Sequence, residues 1–389
     1  MTASEQLNLF KSPPSASIEE EALEVKTENP DYLKRQIITY IGNKRQLLPF
    51  IEKGINVAKD RIGKEKITFL DLFSGSGVVS RAAKKHSQKI IANDLEGYSK
   101  VINECYLTNS ESIDWKELSE IHESVVKRIE SEWEPGFLTR LYSPENEEEI
   151  KKGERVFYTR RNATYLDTAR KVIETIPHEY KKLFLAPLLS QASMHANTSG
   201  VFKGFYKNKD GIGQYGGSAK NALSRITRDI HIEKPVLSNF SCEHEVTQQD
   251  AASLIEDIDE VDIAYLDPPY NQHPYGSNYF MLNLICKYQE PEDISKVSGI
   301  PKTWNRSSYN KRKEAQDELF NVIEKCRAKF ILISYSSEGF IEHEAFINEL
   351  NHCGKVSVMD TKYNTFRGSR NLRERNIHLT EYLYLIEKN

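Results

Sequence analysis

Four short apolar runs, each ended by a turn or a polar residue at its carboxyl end, constrain the fold of this chain most strongly. They lie at residues 67–73, 89–92, 261–266 and 329–333. Runs this short and this apolar are typical of strands buried on both faces, and helical patterns lie between them. We therefore predict an α/β fold, with a mostly parallel sheet covered by helices on both faces. Two strand-like segments near the end, 356–363 and 378–386, predict a closing, partly antiparallel pair.

The strand pattern stops between residues 111 and 239, where helical patterns dominate. A change of this kind inside an α/β sequence predicts an inserted, mainly helical domain at 111–239, with the core formed by 35–110 and 240–389. Residues 1–34 are rich in Glu, Ser and Pro and lack periodicity, which predicts a disordered acidic leader.

Several protein classes are excluded by composition. No apolar run approaches the roughly 20 residues that cross a bilayer, and the N-terminus lacks the apolar stretch of a secretory signal. The five cysteines include no C-x-x-C pair, which argues against a disulfide framework, a zinc module or any other metal site. We expect a reducing, cytoplasmic location.

The net charge of −4 argues against nucleic acid as a partner, but the charges are unevenly distributed. Residues 197–228 contain six Lys or Arg and one acid, 302–313 contain five bases and no acid, and 355–376 contain six bases and two acids. Each segment also contains aromatic residues. A single basic segment is explained equally well as a solvent-exposed face with no function in binding. Three such segments in one chain predict a surface that binds nucleic acid.

A glycine-rich turn, Asp71-Leu-Phe-Ser-Gly-Ser-Gly77, lies between a predicted strand and helix. Glycine permits a sharp turn and close approach of a ligand to the backbone. Asp94, which ends the next predicted strand, suits a ribose diol. The turn lacks the G-x-G-x-x-G and G-K-[ST] patterns that bind phosphates. The alternative is a turn with no role in binding. If the turn does bind a ligand, the pattern predicts an adenosine-containing cofactor without phosphates. The acid Asp71 suits a cofactor with a positively charged sulfur better than it suits NAD.

A second turn, Asp267-Pro268-Pro269-Tyr270, follows another predicted strand. The two prolines stiffen it, so one carboxylate, backbone carbonyls and one aromatic ring stand in fixed relation. Such acceptors beside a stacking face suit a planar base with an exocyclic amino group. The alternative is a strand-ending proline turn with a packed tyrosine.

With these two motifs the chain resembles the S-adenosylmethionine-dependent DNA N6-adenine methyltransferases. The segment Tyr40-Ile-Gly-Asn-Lys44, followed by Leu47-Leu-Pro49, is similar to the cofactor segment of their Dam-like branch. The stretch 265–280 and the tail Phe366-Arg-Gly-Ser369 are similar to methyltransferases of type II restriction–modification systems. The resemblance covers residues 36–389 and implies a Rossmann-like catalytic core, with the insertion reading the target sequence.

The resemblance also implies roles for individual residues. The catalytic residues would be Asp267, Pro268 and Tyr270, of which the first two accept hydrogen bonds from the adenine amino group and the third stacks on the extruded base. The residues expected at S-adenosylmethionine are Tyr40, Lys44, Asp71, Phe73, Gly75, Gly77, Asp94, Asp250 and Asp267.

The resemblance implies double-stranded DNA as the partner and a cognate restriction endonuclease as the functional companion. We expect the protein to be a monomer. Within the basic segments, Lys203, Lys207 and Lys220 are expected at phosphates, and Arg225 and Arg306 at base edges, since a guanidinium can bridge two guanine acceptors. Three alternatives stay open at this point: an N4-cytosine enzyme, an RNA methyltransferase, and a non-catalytic DNA-binding subunit with the same fold.

Overall fold

The computed structural model describes residues 26–217, 219–364 and 378–389. Its strands form one sheet in the order β3-β2-β1-β4-β5-β7-β6, in which β7 runs antiparallel to both neighbours and the other pairs are parallel. The strands are β1 Ile67–Asp71, β2 Ser87–Asn93, β3 Glu243–Thr247, β4 Val261–Leu266, β5 Ala328–Ser336, β6 Gly354–Asn364 and β7 His378–Lys388. The mostly parallel sheet with an antiparallel closing pair is therefore confirmed.

Fourteen α-helices lie in the described part of the chain. They are α1 Pro30–Lys34, α2 Leu48–Ile62, α3 Val78–Ala83, α4 Gly97–Tyr106, α5 Trp115–Ser131, α6 Phe137–Tyr142, α7 Arg160–Glu174, α8 His178–Met194, α9 Leu223–Thr227, α10 Ala251–Asp257, α11 Tyr275–Asn278, α12 Phe280–Lys287, α13 Ala315–Lys325 and α14 His343–Leu350. None of these helices is long and apolar enough to span a membrane.

Alternate residues of the central strands supply two separate apolar layers, because successive side chains of a strand point to opposite faces. Phe69 and its neighbour Ile263 in β4 pack in one layer with α2 and α3. Leu70 and its neighbour Ala264 pack in the other with α10, α13 and α14. Helices therefore cover both faces, as predicted.

Strand β3 has no counterpart in the sequence prediction. Its sequence, Glu-His-Glu-Val-Thr, contains a single strongly apolar residue, and it pairs only with β2 at the edge of the sheet. Lys89 of β2 forms an ion pair of 3.1 Å with Glu243 across this edge. Edge strands commonly carry charges that discourage further pairing, and such a strand lacks the apolar run used to find the others.

The helical region between β2 and β3 has its own apolar core, formed largely by α5, α7 and α8. Helix α12, which follows the Asp-Pro-Pro-Tyr turn, contributes Phe280, Leu282 and Ile285 to that same core. Helix α4 contributes Tyr98 and Ile102. The helical region is thus packed directly onto α12, which follows the Asp-Pro-Pro-Tyr turn, and onto α4, which follows β2.

The prediction of a disordered leader through residue 34 is wrong at its C-terminal end. Residues Pro30–Lys34 form α1, in which the buried Tyr32 donates a 2.6 Å hydrogen bond to the Tyr106 carbonyl. The Arg81 guanidinium lies 4.8 Å from the centre of the Tyr32 ring. Tyr32 therefore attaches α1 to the core, and the composition of a segment does not show a contact made by a single residue. Residues 1–25 and the motif at 366–369 lie outside the described residues.

Candidate active site

The two motif turns meet at the carboxyl edge of the sheet, because β1 and β4 are parallel neighbours and Asp71 pairs in register with Tyr265. Between them opens a cavity. Most of the residues predicted at the cofactor line it, namely Tyr40, Lys44, Asp71, Phe73, Gly75, Asp94, Asp250 and Asp267. Gly77, Pro268 and Tyr270 lie in the same turns but do not line the cavity.

The glycine-rich turn is shaped by close packing. Gly75 has φ +52°, and a Cβ there would lie 2.8 Å from Cε1 of Tyr40. Gly77 has φ +72°, and a Cβ there would lie 2.6 Å from Oδ1 of Asn103. Both backbone conformations favour glycine, and neither site has room for a side chain. Gly77 therefore allows the backbone of the turn to pass close to Asn103, while Gly75 allows the backbone itself to form part of the cavity wall.

Asp71 is held by the helix that follows the turn. Its Oδ2 accepts hydrogen bonds from Ser80 N at 3.1 Å and Ser80 Oγ at 2.6 Å. Its Oδ1 is buried and has no hydrogen-bond partner among the described residues. Burial raises the pKa of this carboxyl to about 7. An unpaired carboxylate oxygen at a cavity wall is a site for a cationic or hydrogen-donating ligand atom.

Asp94 braces the turn from the neighbouring strand end. Its Oδ2 accepts from Gly75 N at 2.8 Å, and its Oδ1 accepts from Glu96 N at 2.9 Å. Burial raises its pKa to about 6, although these backbone hydrogen bonds favour the charged form. Each oxygen retains a further lone pair, so the carboxylate can both fix the turn and accept from a ligand.

Glu96 is a cavity residue that the sequence analysis missed. It is buried and accepts from Asn283 Nδ2 at 2.6 Å and from Asn305 Nδ2 at 3.3 Å. Burial raises its pKa to about 7. Asn305 also lines the cavity, so the 302–313 segment, predicted to face DNA, contributes to the cavity wall as well.

Phe73, Asp250 and Tyr309 form another part of the wall. The Phe73 and Tyr309 rings meet edge to face at 5.0 Å, and Asp250 caps α10 by accepting from Ala252 N at 3.0 Å. Tyr309 is buried. It is therefore a cavity residue and does not lie on an exposed basic surface, although it sits in a basic segment.

Lys44 and Asp267 form the electrostatic centre of the site. Lys44 Nζ lies 3.0 Å from Asp267 Oδ1 and 3.0 Å from an oxygen of Glu381. The two carboxylates raise the pKa of Lys44 well above its ordinary value, against burial, which lowers it. Burial raises the pKa of Asp267 to about 6, with the Lys44 ammonium opposing the rise. Lys44 and Asp267 are expected here from their sequence motifs, whereas no motif marks Glu381.

Tyr270 packs outside the cavity wall. Its ring meets Tyr335 edge to face at 5.8 Å, and Lys44 Nζ lies 5.4 Å from the ring centre. Pro268 is buried beside it. The Asp-Pro-Pro-Tyr turn thus places the Tyr270 ring beside the Lys44 ammonium that pairs with Asp267.

The basic segment 197–228 lies beside the Asp-Pro-Pro-Tyr turn. Phe202 N donates to the carbonyl of Asn278, in α11, at 2.7 Å. Burial and the nearby Lys203 ammonium lower the pKa of His273, which follows the turn. Lys203, Lys207 and Lys220 are exposed. These lysines are free to reach phosphates of a bound polyanion.

The two arginines predicted at base edges differ. Arg306 is exposed, with its guanidinium 4.3 Å from the centre of the Trp304 ring. Arg225 is half-buried and donates to the carbonyls of Met194, Ala196 at 3.0 Å and Thr198 at 3.3 Å. Its guanidinium is occupied in holding α8 and the following loop, so the expectation that Arg225 reads bases is corrected to a structural role.

Among the described residues, no group of three or more potential ligands is placed to hold a metal ion. The candidate site is therefore built from carboxylates, one buried ammonium and aromatic rings. A comparison with protein families decides what this site belongs to. The model of the D12 class N6 adenine-specific DNA methyltransferases matches residues 40–348.

The chain belongs to this family. It is an adenine-specific DNA methyltransferase, which settles the choice between adenine and cytosine and between DNA and RNA. The match begins at Tyr40 and contains both motif turns and the whole helical insertion. The expected activity and the resemblance to this family are confirmed.

Similar proteins include methyltransferases from bacteria and a virus. The type II methyltransferase M.NlaIII of Neisseria lactamica is 30% identical over 361 residues, which is 90% of this chain and 99% of that protein. M.CviAII of Paramecium bursaria Chlorella virus 1 is 29% identical over 90% of this chain and 98% of its own length. M.FokI of Planomicrobium okeanokoites is 29% identical over 90% of this chain, which spans only 52% of that longer protein.

Proposed function

We propose that this methyltransferase is the modification enzyme of a type II restriction–modification system, acting on duplex DNA with S-adenosylmethionine as methyl donor. The observation that carries the proposal is the acidic cavity in which the glycine-rich turn meets Asp267. Its type II relatives support the cellular role. A cognate endonuclease is the proposed functional companion, and the enzyme is proposed to act as a monomer in the cytoplasm.

The residues of the cavity fit this donor. The unpaired Oδ1 of Asp71, the tight glycine turn at Gly75 and the carboxylates of Asp94 and Glu96 offer acceptors. The Lys44 ammonium also lines the cavity, but it is already paired with two carboxylates. The aromatic wall at Phe73 and Tyr309 suits an adenine ring. When bound, the donor supplies an electrophilic methyl group on a positively charged sulfur.

Asp267 is proposed to orient the adenine amino group. Its Oδ1 faces Lys44, so Oδ2 and the Pro268 carbonyl are the acceptors left for the two N6–H bonds. These hydrogen bonds localise electron density on N6, which then forms the new bond to the methyl carbon as the carbon–sulfur bond breaks toward sulfur. The methylated nitrogen is positively charged and acidic, and it releases its proton afterwards. Positioning and fixed charges provide the rate gain.

The experiment that tests the proposal is methylation of plasmid DNA by the purified chain, followed by sequencing that detects modified adenine. We expect N6-methyladenine at one short recurring sequence, and none when S-adenosylmethionine is omitted. Transfer of label to DNA without any sequence preference would contradict the modification role, and absence of transfer would contradict the activity.

Binding of S-adenosylmethionine is expected to tighten with rising pH. The pKa values of Asp71 and Glu96 are raised to about 7 and that of Asp94 to about 6, so these carboxyls gain charge between pH 5.5 and 8. Charge in the cavity favours the cationic sulfur, and we expect a gain on the order of 10-fold in affinity. Calorimetry at the two pH values measures it. S-adenosylhomocysteine, whose sulfur is neutral, is the control and should gain less; an equal gain for both ligands would contradict the argument.

Tyr270→Phe is expected to retain substantial activity, whereas Tyr270→Ala should lose most of it. The proposed stacking on the extruded base needs the ring and not the hydroxyl, and stacking contributes about 1–3 kcal/mol per base. Single-turnover methylation rates compare the two variants. Equal losses would assign the effect to the hydroxyl.

Lys203→Ala and Lys207→Ala are expected to weaken binding to all duplexes alike. Each lost phosphate contact should reduce the slope of log affinity against log salt by about one unit. Lys325→Ala is a matched control, because Lys325 is exposed but ends α13 at the opposite edge of the sheet, paired with Glu256 at 2.6 Å. Salt titrations with specific and random duplexes measure the slopes; unchanged slopes in both lysine variants would remove segment 197–228 from the phosphate surface.

A further inference from the structure

Glu381 is a buried charge in an apolar position of the central sheet. It lies in β7 with no exposed surface, and the residues two positions away on the same face, Leu379 and Leu383, are buried and apolar. Its Oε1 accepts from Ser334 Oγ at 2.5 Å and lies 3.0 Å from Lys44 Nζ. Its Oε2 has no hydrogen-bond partner among the described residues. A carboxylate placed here costs desolvation energy, which calls for a specific role.

The geometry connects Glu381 to the reacting carboxylate through one side chain. Lys44 Nζ lies 3.0 Å from Asp267 Oδ1 and 3.0 Å from Glu381 Oε1, and only 3% of its side chain is exposed. A lysine side chain is flexible, and its ammonium keeps one position only when fixed partners surround it. Glu381 is such a partner, since Ser334 of the adjacent strand β5 holds its oxygen.

We propose that Glu381 is a positioning residue for methyl transfer, which fixes the Lys44 ammonium against Oδ1 of Asp267 and so keeps Oδ2 directed at the adenine amino group. This inference rests on the proposed function. Glu381 acts through Lys44 and does not contact either substrate. It also limits how strongly Lys44 withdraws charge from Asp267, because the ammonium is shared between two carboxylates.

The charges around Asp267 give this role a measurable signature. Lys44 lowers the pKa of Asp267 and Glu381 raises it, while Asp71, Tyr265 and Tyr275 are the other titratable groups that face it. Removing the charge of Glu381 therefore lowers the pKa of Asp267. Because transfer requires the ionised carboxylate, the acid limb of the pH–rate profile should move to lower pH.

The test is single-turnover methylation of duplex DNA by Glu381→Gln, across pH 5 to 8. We expect a rate at pH 8 lower by on the order of 10-fold, as for other groups that orient a catalytic side chain. We also expect the acid limb to shift downward and S-adenosylmethionine affinity to stay unchanged. Glu387→Gln is the matched control, because Glu387 lies in the same strand but is exposed and pairs with Arg61; its rate should equal that of the wild type.

A double-mutant cycle separates positioning from general stabilisation. If Glu381 acts through Lys44, adding Glu381→Gln to Lys44→Met should cause no further loss of rate, since the link is already cut. Multiplied losses in the double variant would overturn the proposal, because Glu381 would then act independently of Lys44.

Ser334→Ala keeps the proposal testable if Glu381→Gln does not fold. It removes only the hydroxyl that holds Glu381 Oε1, and we expect a rate lower by about 2- to 10-fold, as for loss of one hydrogen bond. An active wild type together with an unchanged rate and pH profile in Glu381→Gln, or an unchanged rate in Ser334→Ala, overturns this inference alone. An inactive wild type would instead overturn the proposed function.

Discussion

Asp267→Ala is expected to reduce methyl transfer to adenine by about 10²-fold or more, as for loss of a preorganised polar group at a reacting centre. The carboxylate ends β4 in a turn stiffened by Pro268 and Pro269, so no other side chain can take its place. The fold should survive the change, because Lys44 keeps its contact of 3.0 Å with Glu381 and is not left as an unpaired buried charge.

Single-turnover rates with saturating DNA and S-adenosylmethionine measure the loss. Asp259→Ala is the matched control, since Asp259 is an exposed acid just before the other end of β4; we expect it to keep the wild-type rate. Circular dichroism and thermal unfolding check that both variants are folded. A wild-type rate in Asp267→Ala would remove this carboxylate from catalysis.

The parts of the fold that could be predicted are those encoded locally. Each central strand is a continuous apolar run, and each motif turn follows its strand directly in sequence. Parallel pairing then brings the carboxyl ends together, so Asp71, Asp94 and Asp267 meet although nearly 200 residues separate the first from the last. Most of the residues that the sequence predicts at the cofactor therefore line the cavity.

Residues that reach the site through tertiary packing alone were missed. Glu381 lies in a strand that inserts between β5 and β6, and only this antiparallel insertion carries it to Lys44. Glu96 and Asn305 meet through a side-chain hydrogen bond across 209 residues. The sequence contains one signal for Glu381: it is an acid at a position where the alternation of β7 calls for an apolar residue.

The cations of the basic segment 197–228 lie in two different environments. A basic segment gives the number of cations but not their partners. Arg225 and Lys203 belong to the same segment, yet the Arg225 guanidinium binds backbone carbonyls while Lys203 is exposed near His273, which follows the Asp-Pro-Pro-Tyr turn. A basic segment predicts a surface only for those side chains that the fold leaves without internal acceptors.

Lys44→Met is expected to reduce the free energy of unfolding at pH 8 by about 3–5 kcal/mol, because it leaves the buried carboxylate of Glu381 and the half-buried carboxylate of Asp267 facing each other without a cation. It should also lower the single-turnover rate of methyl transfer by on the order of 10²-fold, which leaves a rate that can still be measured. Urea unfolding without ligand measures the loss of stability. Lys64→Met is the matched control: Lys64 pairs with the buried Asp262, which keeps Lys329 at 3.2 Å, so we expect a much smaller loss.

The loss in Lys44→Met should shrink as the pH is lowered. The pKa of Asp267 is about 6 in the folded wild type, above the ordinary value of about 4 for an unfolded Asp, and the Lys44 ammonium holds it down. Without the ammonium this pKa rises further. A carboxyl with a raised folded pKa loses stability as the pH rises through the interval between its unfolded and folded values, so the variant should be close to wild type near pH 5 and weakest at pH 8. Adding Glu381→Gln removes one of the two stranded charges and should restore part of the stability at pH 8. An equal loss at both pH values, or no recovery in the double variant, would contradict an electrostatic role for this ammonium.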